Sequence, residues 1–198
     1  LKTRPDLDIP DVQLHFGMAL TDDHGRKRHR GTGFSLHVCL LRPKSRGHVA
    51  LASADPLAPP LIDPNFLGEA DDLESMVGGY KITKRLLETP ALQAIQKKDM
   101  FTEGVRTDDD IRSILRARVD TVYHPVGTCK MGSDAMAVVD AKLKVHGMEG
   151  LRVVDASIMP TLVGGNTNAP TIMIGEKAAD MIKGEMRANR TTVRHART

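Results

Sequence analysis

The segment "TVYHPVGTCKMG" at residues 121–132 places a histidine, a proline, two glycines and a cysteine within twelve residues. Pro125 cannot continue a helix, and it favours an extended backbone at the preceding His124. Gly127 and Gly132 permit turns that other residues resist. The segment is therefore predicted to hold one imidazole at a fixed place on an irregular backbone. Catalytic sites use this arrangement, although a hydrogen-bonded structural histidine fits the same pattern.

The composition is typical of a globular protein, with 40% apolar and 27% charged residues in a chain of 198. The net charge is +3, and its excess lies mainly in "HGRKRHR" (24–30) and in the tail "RANRTTVRHART" (187–198). Neither stretch has the interleaved aromatic residues of a nucleic-acid-binding surface. We therefore expect no nucleic-acid partner, a solvated turn at 24–30 and a disordered basic tail at 187–198.

Several features indicate where the protein works. No run of about 18 apolar residues occurs, so no transmembrane segment is predicted. The polar start "LKTRPDLDIPD" is unlike a signal peptide and lacks methionine, which favours the C-terminal part of a longer protein. Cys39 and Cys129 have no CxxC spacing and the eight histidines have no paired ligand spacing, so neither a disulfide nor a metal site is predicted. The predicted location is the cytoplasm, with a peripheral position at the inner membrane face left open.

The first two thirds of the chain predict an α+β fold, in which a mostly antiparallel sheet is flanked by helices. The runs 35–41 and 48–53 flank a turn and predict a hairpin, while the proline-rich segment 55–65 predicts an extended loop. Apolar residues at helical spacing predict one helix over 70–90. A second helix is predicted to begin at Thr107, which forms a capping-box-like pair with the acid three residues later.

The last third predicts a strand–loop–helix. "AVVDAKLKV" (137–145) predicts a short hairpin, and "LRVVD" (151–155) predicts a buried strand. A helix then follows, with Asn168 as its N-cap, Pro170 in its first turn and Gly184 as its stop. The free N–H groups at such a helix start favour electron-rich groups, although a capped helix is more often only a capped helix without a ligand.

Together, "YHPVGTCKMG" and "GLRVVDASIMPTLVGGNTNAPTIMIGEKAADMI" resemble the C-terminal signature of the glucose–methanol–choline (GMC) oxidoreductases, in particular the bacterial choline and alcohol dehydrogenase branch. The resemblance is strongest over 121–184 and extends upstream. It implies flavin adenine dinucleotide (FAD) as cofactor and oxidation of a primary alcohol to an aldehyde by hydride transfer to the flavin. It also implies that residues 1–150 belong to a substrate-binding domain and residues 151–186 close an FAD-binding domain.

The same resemblance implies roles for particular residues. His124 falls on the active-site histidine, the candidate proton acceptor, and Asn166 falls on the second active-site position, where its amide would bond to the alkoxide oxygen. Asp155 and Ala156 fall on a pair that approaches the ribityl and pyrophosphate part of the flavin. The start of the last helix is implied to lie near the flavin pyrimidine ring, through Asn168, Ala169, Pro170 and Thr171.

One departure from the family is that no GxGxxG dinucleotide fingerprint occurs in these residues. The N-terminal FAD-domain half of the same protein is therefore an expected partner, and this chain alone is expected to be inactive. The alternatives are a choline dehydrogenase, an oxygen-using alcohol oxidase or a lyase of the same family, and a catalytically incompetent fragment. The particular alcohol and the electron acceptor are not indicated.

Overall fold

The computed structural model describes residues 1–20, 22–23, 26–27 and 29–195, with side chains as far as Arg187. The chain divides into two compact units, Leu1–Val122 and Tyr123–Thr198. We call them the N-terminal unit and the C-terminal unit and describe each by itself. The solvated turn predicted at 24–30 lies partly outside the described residues.

Among the described residues, the strands of the N-terminal unit form two antiparallel pairs. Strand β1 (Val12–Gly17) pairs with β2 (Ser35–Leu40), and β3 (His48–Ala50) pairs with β4 (Leu61–Asp63). The predicted hairpin between 35–41 and 48–53 is wrong, because each of these runs pairs with a strand from elsewhere in the chain. The physical reason is burial: β2 contributes apolar side chains to the helical core, whereas all three residues of β3 are exposed.

In the described part of this unit there are also three helices, α1 (Ala70–Leu87), α2 (Pro90–Gln93) and α3 (Asp108–Arg118). The predicted capping box of α3 is confirmed, since Thr107 and Asp110 exchange side-chain-to-backbone hydrogen bonds. Helix α1 packs on the β1–β2 pair and on α3. The core is apolar and comes from α1 and α3, through Leu73, Met76, Val77, Ile111 and Leu115. Both long helices were predicted by their apolar spacing.

Two features of α1 join it closely to the rest of the unit. A Cβ atom at Gly79 would lie 2.7 Å from Cγ2 of Val38, so the missing side chain lets the helix approach β2. Asp72 is buried at 4% exposure. Its carboxylate accepts hydrogen bonds from the backbone N–H groups of Lys44, at 2.9 Å, and Ser45, at 2.7 Å. Asp72 therefore fixes the turn that precedes β3.

The C-terminal unit is largely irregular. Its chain is held by isolated bridges, of which Val139–Val145 and Lys144–Arg152 are antiparallel. The first of these is the short hairpin predicted at 137–145. In the predicted strand 151–155 only Arg152 takes part in a bridge among the described residues. No regular strand forms because this segment has few pairing contacts, the Lys144–Arg152 bridge and the hydrogen bond from the N–H of Val153 to the carbonyl of Leu143 at 3.2 Å, and a 3₁₀ turn, Ala156–Ile158, follows directly.

Helix α4 (Asn168–His195) closes the C-terminal unit. Its first residue is Asn168, and the carbonyl of Thr167 accepts a hydrogen bond from the N–H of Thr171 at 3.0 Å, so the cap position falls on Thr167 and not on the predicted Asn168. The predicted stop at Gly184 is also wrong. Glu185 accepts hydrogen bonds from Arg152 at 2.6 Å and pairs with Lys144 at 3.2 Å, and these contacts offset the cost of about 1 kcal/mol for an interior glycine. The hydrogen bond from Arg152, followed by that from Lys144, lowers the pKa of the Glu185 carboxyl. The backbone of the predicted tail is thus helical as far as His195, and residues 196–198 lie outside the described residues.

The core of this unit lies between α4, the 3₁₀ turn and the bridged loops. Its buried members are Val139, Leu143, Ile158, Met159, Ile174 and Ala178. With antiparallel strand pairs and helices, the chain has the predicted α+β fold. None of the helices in the described residues has both the length and the apolar character of a membrane span.

Candidate active site

The imidazole of His124 contacts two consecutive residues that lie more than forty positions away in the sequence. Nδ2 of Asn166 is 3.2 Å from Nε2 of the ring, and Oγ1 of Thr167 is 2.7 Å from Nδ1. The structure therefore brings the two predicted catalytic residues, His124 and Asn166, into direct contact. It adds Thr167, so that both ring nitrogens have a partner.

The backbone around His124 is unusual. Tyr123, directly before it, has φ 65°, in the left-handed region that is uncommon for a bulky residue. Pro125 follows with its fixed φ, and Gly127 then has φ 87°. Positive φ values at Tyr123 and Gly127 enclose the histidine between two sharp changes of chain direction. Such conformations persist where the surrounding structure holds them, and they concentrate at functional sites.

Hydrogen bonds tie the following residues to the 3₁₀ turn. The N–H of Cys129 donates to the carbonyl of Ser157 at 3.1 Å, and the N–H of Met131 donates to the carbonyl of Ile158 at 2.8 Å. Ile158 is itself a member of the buried core. The histidine segment is thereby anchored to the core of the C-terminal unit, which gives the imidazole a fixed support.

Exposure changes across the three side chains of the site. Thr167 is 7% exposed, His124 is half-buried and Asn166 is exposed. The Nδ1 edge of the ring therefore faces the buried residue, and the Nε2 edge faces the exposed one. A small molecule that reaches Asn166 would meet the Nε2 edge of the imidazole.

The predicted cofactor residues at the start of α4 differ in what they offer. Asn168 and Ala169 are exposed, and N–H groups in the first turn of a helix have no intrahelical carbonyl to bond. Pro170 has no N–H to offer. The N–H of Thr171 already donates to the carbonyl of Thr167 at 3.0 Å. The exposed first turn thus fits an electron-rich group through Asn168 and Ala169.

Asp155 and Ala156 lie at the 3₁₀ turn. Oδ1 of Asp155 accepts a hydrogen bond from the N–H of Ser157 at 2.7 Å, so the carboxylate caps the turn. Ala156 packs against the buried core. Asp155 is exposed, and a carboxylate has lone pairs beyond those used here. Capping leaves this side chain able to bind a second group.

The sequence did not indicate Thr167 as a site residue, although it lies between the predicted site residues Asn166 and Asn168 in "NTN". The sequence predicted the N-cap at Asn168 and indicated no role for Thr167. Contact between its hydroxyl and an imidazole encoded 43 positions earlier depends on the fold of the whole C-terminal unit.

A solved structure of formate oxidase is similar to this chain. The chain aligns with the R554K variant of formate oxidase from Aspergillus oryzae, a protein studied for FAD modification, with a TM-score of 0.80 and 30% identity. The alignment covers 92% of this chain and 33% of that one.

The chain belongs to the GMC oxidoreductase family, whose profile, described as "GMC oxidoreductase", matches residues 43–175. It is 49% identical over 183 residues to "Alcohol dehydrogenase [acceptor]" from Pseudomonas putida, covering 92% of this chain and 33% of that protein. It is 42% identical over 197 residues to "Oxygen-dependent choline dehydrogenase" from Escherichia coli, covering 98% and 35%. The chain therefore spans about one third of the length of these relatives.

Proposed function

We propose that this chain is the C-terminal portion of an FAD-dependent alcohol dehydrogenase that oxidises a primary alcohol to an aldehyde. The observation that carries the proposal is the 3.2 Å contact between Nδ2 of Asn166 and Nε2 of His124, at the exposed edge of the imidazole. Similarity to the alcohol dehydrogenase of Pseudomonas putida supports the reaction type.

His124 is the proposed proton acceptor. Oxidation of an alcohol removes the hydroxyl proton. It also removes a hydride from the carbon that carries the hydroxyl. Imidazole changes its protonation state near neutral pH, which suits it to receive the hydroxyl proton. In our proposal that proton moves to Nε2 of His124. Pro125 and the anchored backbone keep the ring in place while it does so.

Asn166 is the proposed hydrogen-bond donor to the reacting oxygen. As the hydroxyl proton leaves, negative charge develops on the alcohol oxygen. An amide N–H that donates to that oxygen stabilises the charge, and donors of this kind contribute a large share of many rate enhancements. The contact with His124 places the Asn166 amide beside the proposed proton acceptor.

FAD, when bound, would accept the hydride. The residues proposed to hold it are Asp155 and Ala156 at the 3₁₀ turn and the first turn of α4, which comprises Asn168, Ala169, Pro170 and Thr171. Support comes from the exposed first-turn N–H groups and from the remaining lone pairs of Asp155. The positive end of the α4 dipole favours an electron-rich edge of the cofactor.

The organisation of the whole protein is part of this proposal. Residues 1–150 would belong to the substrate-binding domain and residues 151–186 would close the FAD-binding domain. The proposed partners are a small alcohol and the N-terminal FAD-domain half of the same protein. The proposed location is the cytoplasm, which is compatible with the two free cysteines of the described residues.

Choline oxidation is the second candidate function. The similarity to oxygen-dependent choline dehydrogenase favours it, since it extends over 98% of this chain. Turnover of choline compared with a primary alcohol of the same chain length, such as 1-butanol, separates the two. Oxygen consumption compared with reduction of an artificial electron acceptor separates an oxidase from a dehydrogenase.

The proposal is tested by His124→Ala in the full-length, FAD-loaded protein. We expect the rate of flavin reduction by alcohol, followed as loss of flavin absorbance without oxygen, to fall about 10²–10⁴-fold. The oxidised flavin spectrum should be retained, because the substitution removes the proton acceptor and not the cofactor.

His146→Ala is the matched control. His146 is an exposed histidine of the same unit, and its Nε2 contacts the carbonyl of Gly132 at 3.1 Å. This variant should reduce flavin at the wild-type rate. An undiminished rate in His124→Ala would remove His124 from the mechanism and the proposal with it.

A further inference from the structure

We infer that Thr167 is a positioning residue that keeps the proton of the neutral His124 ring on Nδ1, so that Nε2 is unprotonated and can act as the proton acceptor. The tautomer follows from the contacts of the ring. Its catalytic consequence rests on the proposed role of His124 as proton acceptor.

The first step of the argument concerns the Nε2 edge. The side-chain nitrogen of Asn166 is a hydrogen-bond donor and has no acceptor capacity. Its 3.2 Å contact with Nε2 is therefore favourable when Nε2 carries no proton. A neutral imidazole has one protonated nitrogen, so the proton then lies on Nδ1.

The second step concerns the Nδ1 edge. A protonated Nδ1 needs an acceptor, and Oγ1 of Thr167 lies 2.7 Å away. Thr167 is only 7% exposed, so water has little access to replace it. A buried N–H without an acceptor is strongly unfavourable. The hydroxyl of Thr167 thus supports the tautomer that the Asn166 amide requires.

The third step concerns the reaction. When Nε2 takes up a proton it no longer accepts the hydrogen bond of the Asn166 amide, both ring nitrogens carry hydrogen and the ring is positively charged. The bond from Nδ1–H to Thr167 then becomes a charge-assisted hydrogen bond, which is stronger than the neutral one. Thr167 therefore stabilises the ring after proton transfer, without contacting the substrate.

The start of α4 holds Thr167 in this position. Its carbonyl accepts hydrogen bonds from the N–H of Thr171 at 3.0 Å and from Oγ1 of Thr171 at 2.7 Å. Two donors on one carbonyl fix the backbone of the residue that contacts the imidazole. The helix start and the proton acceptor are thereby linked through a single side chain.

The functional test compares Thr167→Val with Thr167→Ser in the full-length, FAD-loaded protein. Valine keeps the shape of threonine and removes the hydroxyl, whereas serine keeps the hydroxyl. We expect Thr167→Val to lower kcat at least tenfold with less than a twofold change in KM, and to move the acidic limb of the kcat–pH profile to lower pH. Thr167→Ser should restore kcat to within about threefold of the wild type and restore the profile. A wild-type kcat and profile in Thr167→Val would overturn the inference.

A second measurement does not depend on activity. Nitrogen NMR of protein with ¹⁵N-labelled histidine, above the titration range of imidazole, distinguishes protonated from unprotonated ring nitrogens, and His124→Gln assigns the signals. We expect a protonated Nδ1 and an unprotonated Nε2 in the wild type. A protonated Nε2 would overturn the inference even if the valine variant did not fold. Full activity of His124→Ala would instead overturn the proposed function and leave the tautomer unaffected.

Discussion

The two units of the chain use their polar side chains in opposite ways. In the N-terminal unit, the buried carboxylate of Asp72 accepts hydrogen bonds from the backbone N–H groups of Lys44 and Ser45, in a turn of the same unit. In the C-terminal unit, Thr167, His124 and Asn166 bind one another in a row that runs from buried to exposed. A polar group that serves the backbone contributes to stability. A row of side chains with an exposed end can also bind and react with a small molecule.

The units also differ in regularity. The N-terminal unit consists of paired strands and helices, whereas the C-terminal unit relies on isolated bridges, a 3₁₀ turn and one long helix. Irregular segments on a rigid support commonly carry binding and catalytic residues, because their side chains can be aimed independently. We therefore expect substitutions in the first unit to change stability and substitutions around His124 to change rates.

The largest stability effect is expected for Asp72→Ala. Its carboxylate accepts hydrogen bonds from the N–H groups of Lys44 and Ser45 in a buried position, so its removal leaves these donors unpaired. We expect the free energy of unfolding, measured by urea denaturation, to fall by about 2–3 kcal/mol.

Asp71→Ala is the control for this prediction. Asp71 is the preceding residue of α1, and it is exposed and paired with the ammonium group of Lys44. Exposed ion pairs contribute little, so this variant should lower the free energy of unfolding far less than Asp72→Ala does. Equal effects of the two substitutions would show that Asp72 is not a buried anchor.

A smaller effect is expected for a pair of glycine-to-alanine substitutions, one in each unit. At Gly79 an added Cβ would meet Val38, so Gly79→Ala should lower the free energy of unfolding by about 1–2 kcal/mol. At Gly184 a Cβ would meet nothing within 4 Å, and the residue lies inside α4. Gly184→Ala should therefore raise stability by about 0.5–1 kcal/mol in the same urea measurement.

The predictions for the two glycines can be contradicted independently of each other. A stabilising Gly79→Ala would mean that α1 does not lie close against β2. A destabilising Gly184→Ala would mean that the helix ends there with a left-handed glycine, as the sequence alone suggested. The opposite signs of the two effects are thus a direct test of how the two helices are packed.

Local sequence signals predicted the helices well. The apolar spacing of 70–87 and the capping box at Thr107 are properties of neighbouring residues, so no tertiary information is needed to recognise them. The pairing of strands was not predicted. Strand β2 pairs with β1, about twenty residues earlier, because both pack against helix α1, and this preference depends on where that helix lies.

The residues of the candidate site also divide into those that local motifs predicted and one that they did not. His124 and Asn166 were singled out because their motifs resemble a family, and the structure shows that their side chains meet. Thr167 was missed, since its contribution is a contact at the far side of the ring. The extension of α4 beyond Gly184 was missed for a similar reason: the ion pairs of Glu185 involve residues from a distant loop. Long-range contacts between polar side chains are what local patterns do not encode.

The central claim is that His124 and Asn166 act together on one alcohol oxygen. A double-mutant cycle of His124→Ala and Asn166→Ala, measured as the rate of flavin reduction by alcohol in the full-length protein, tests it directly. We predict that Asn166→Ala alone costs on the order of 10² in rate, and that the double variant loses clearly less than the product of the two single losses. Losses that multiply fully, or a wild-type rate in Asn166→Ala, would contradict the account.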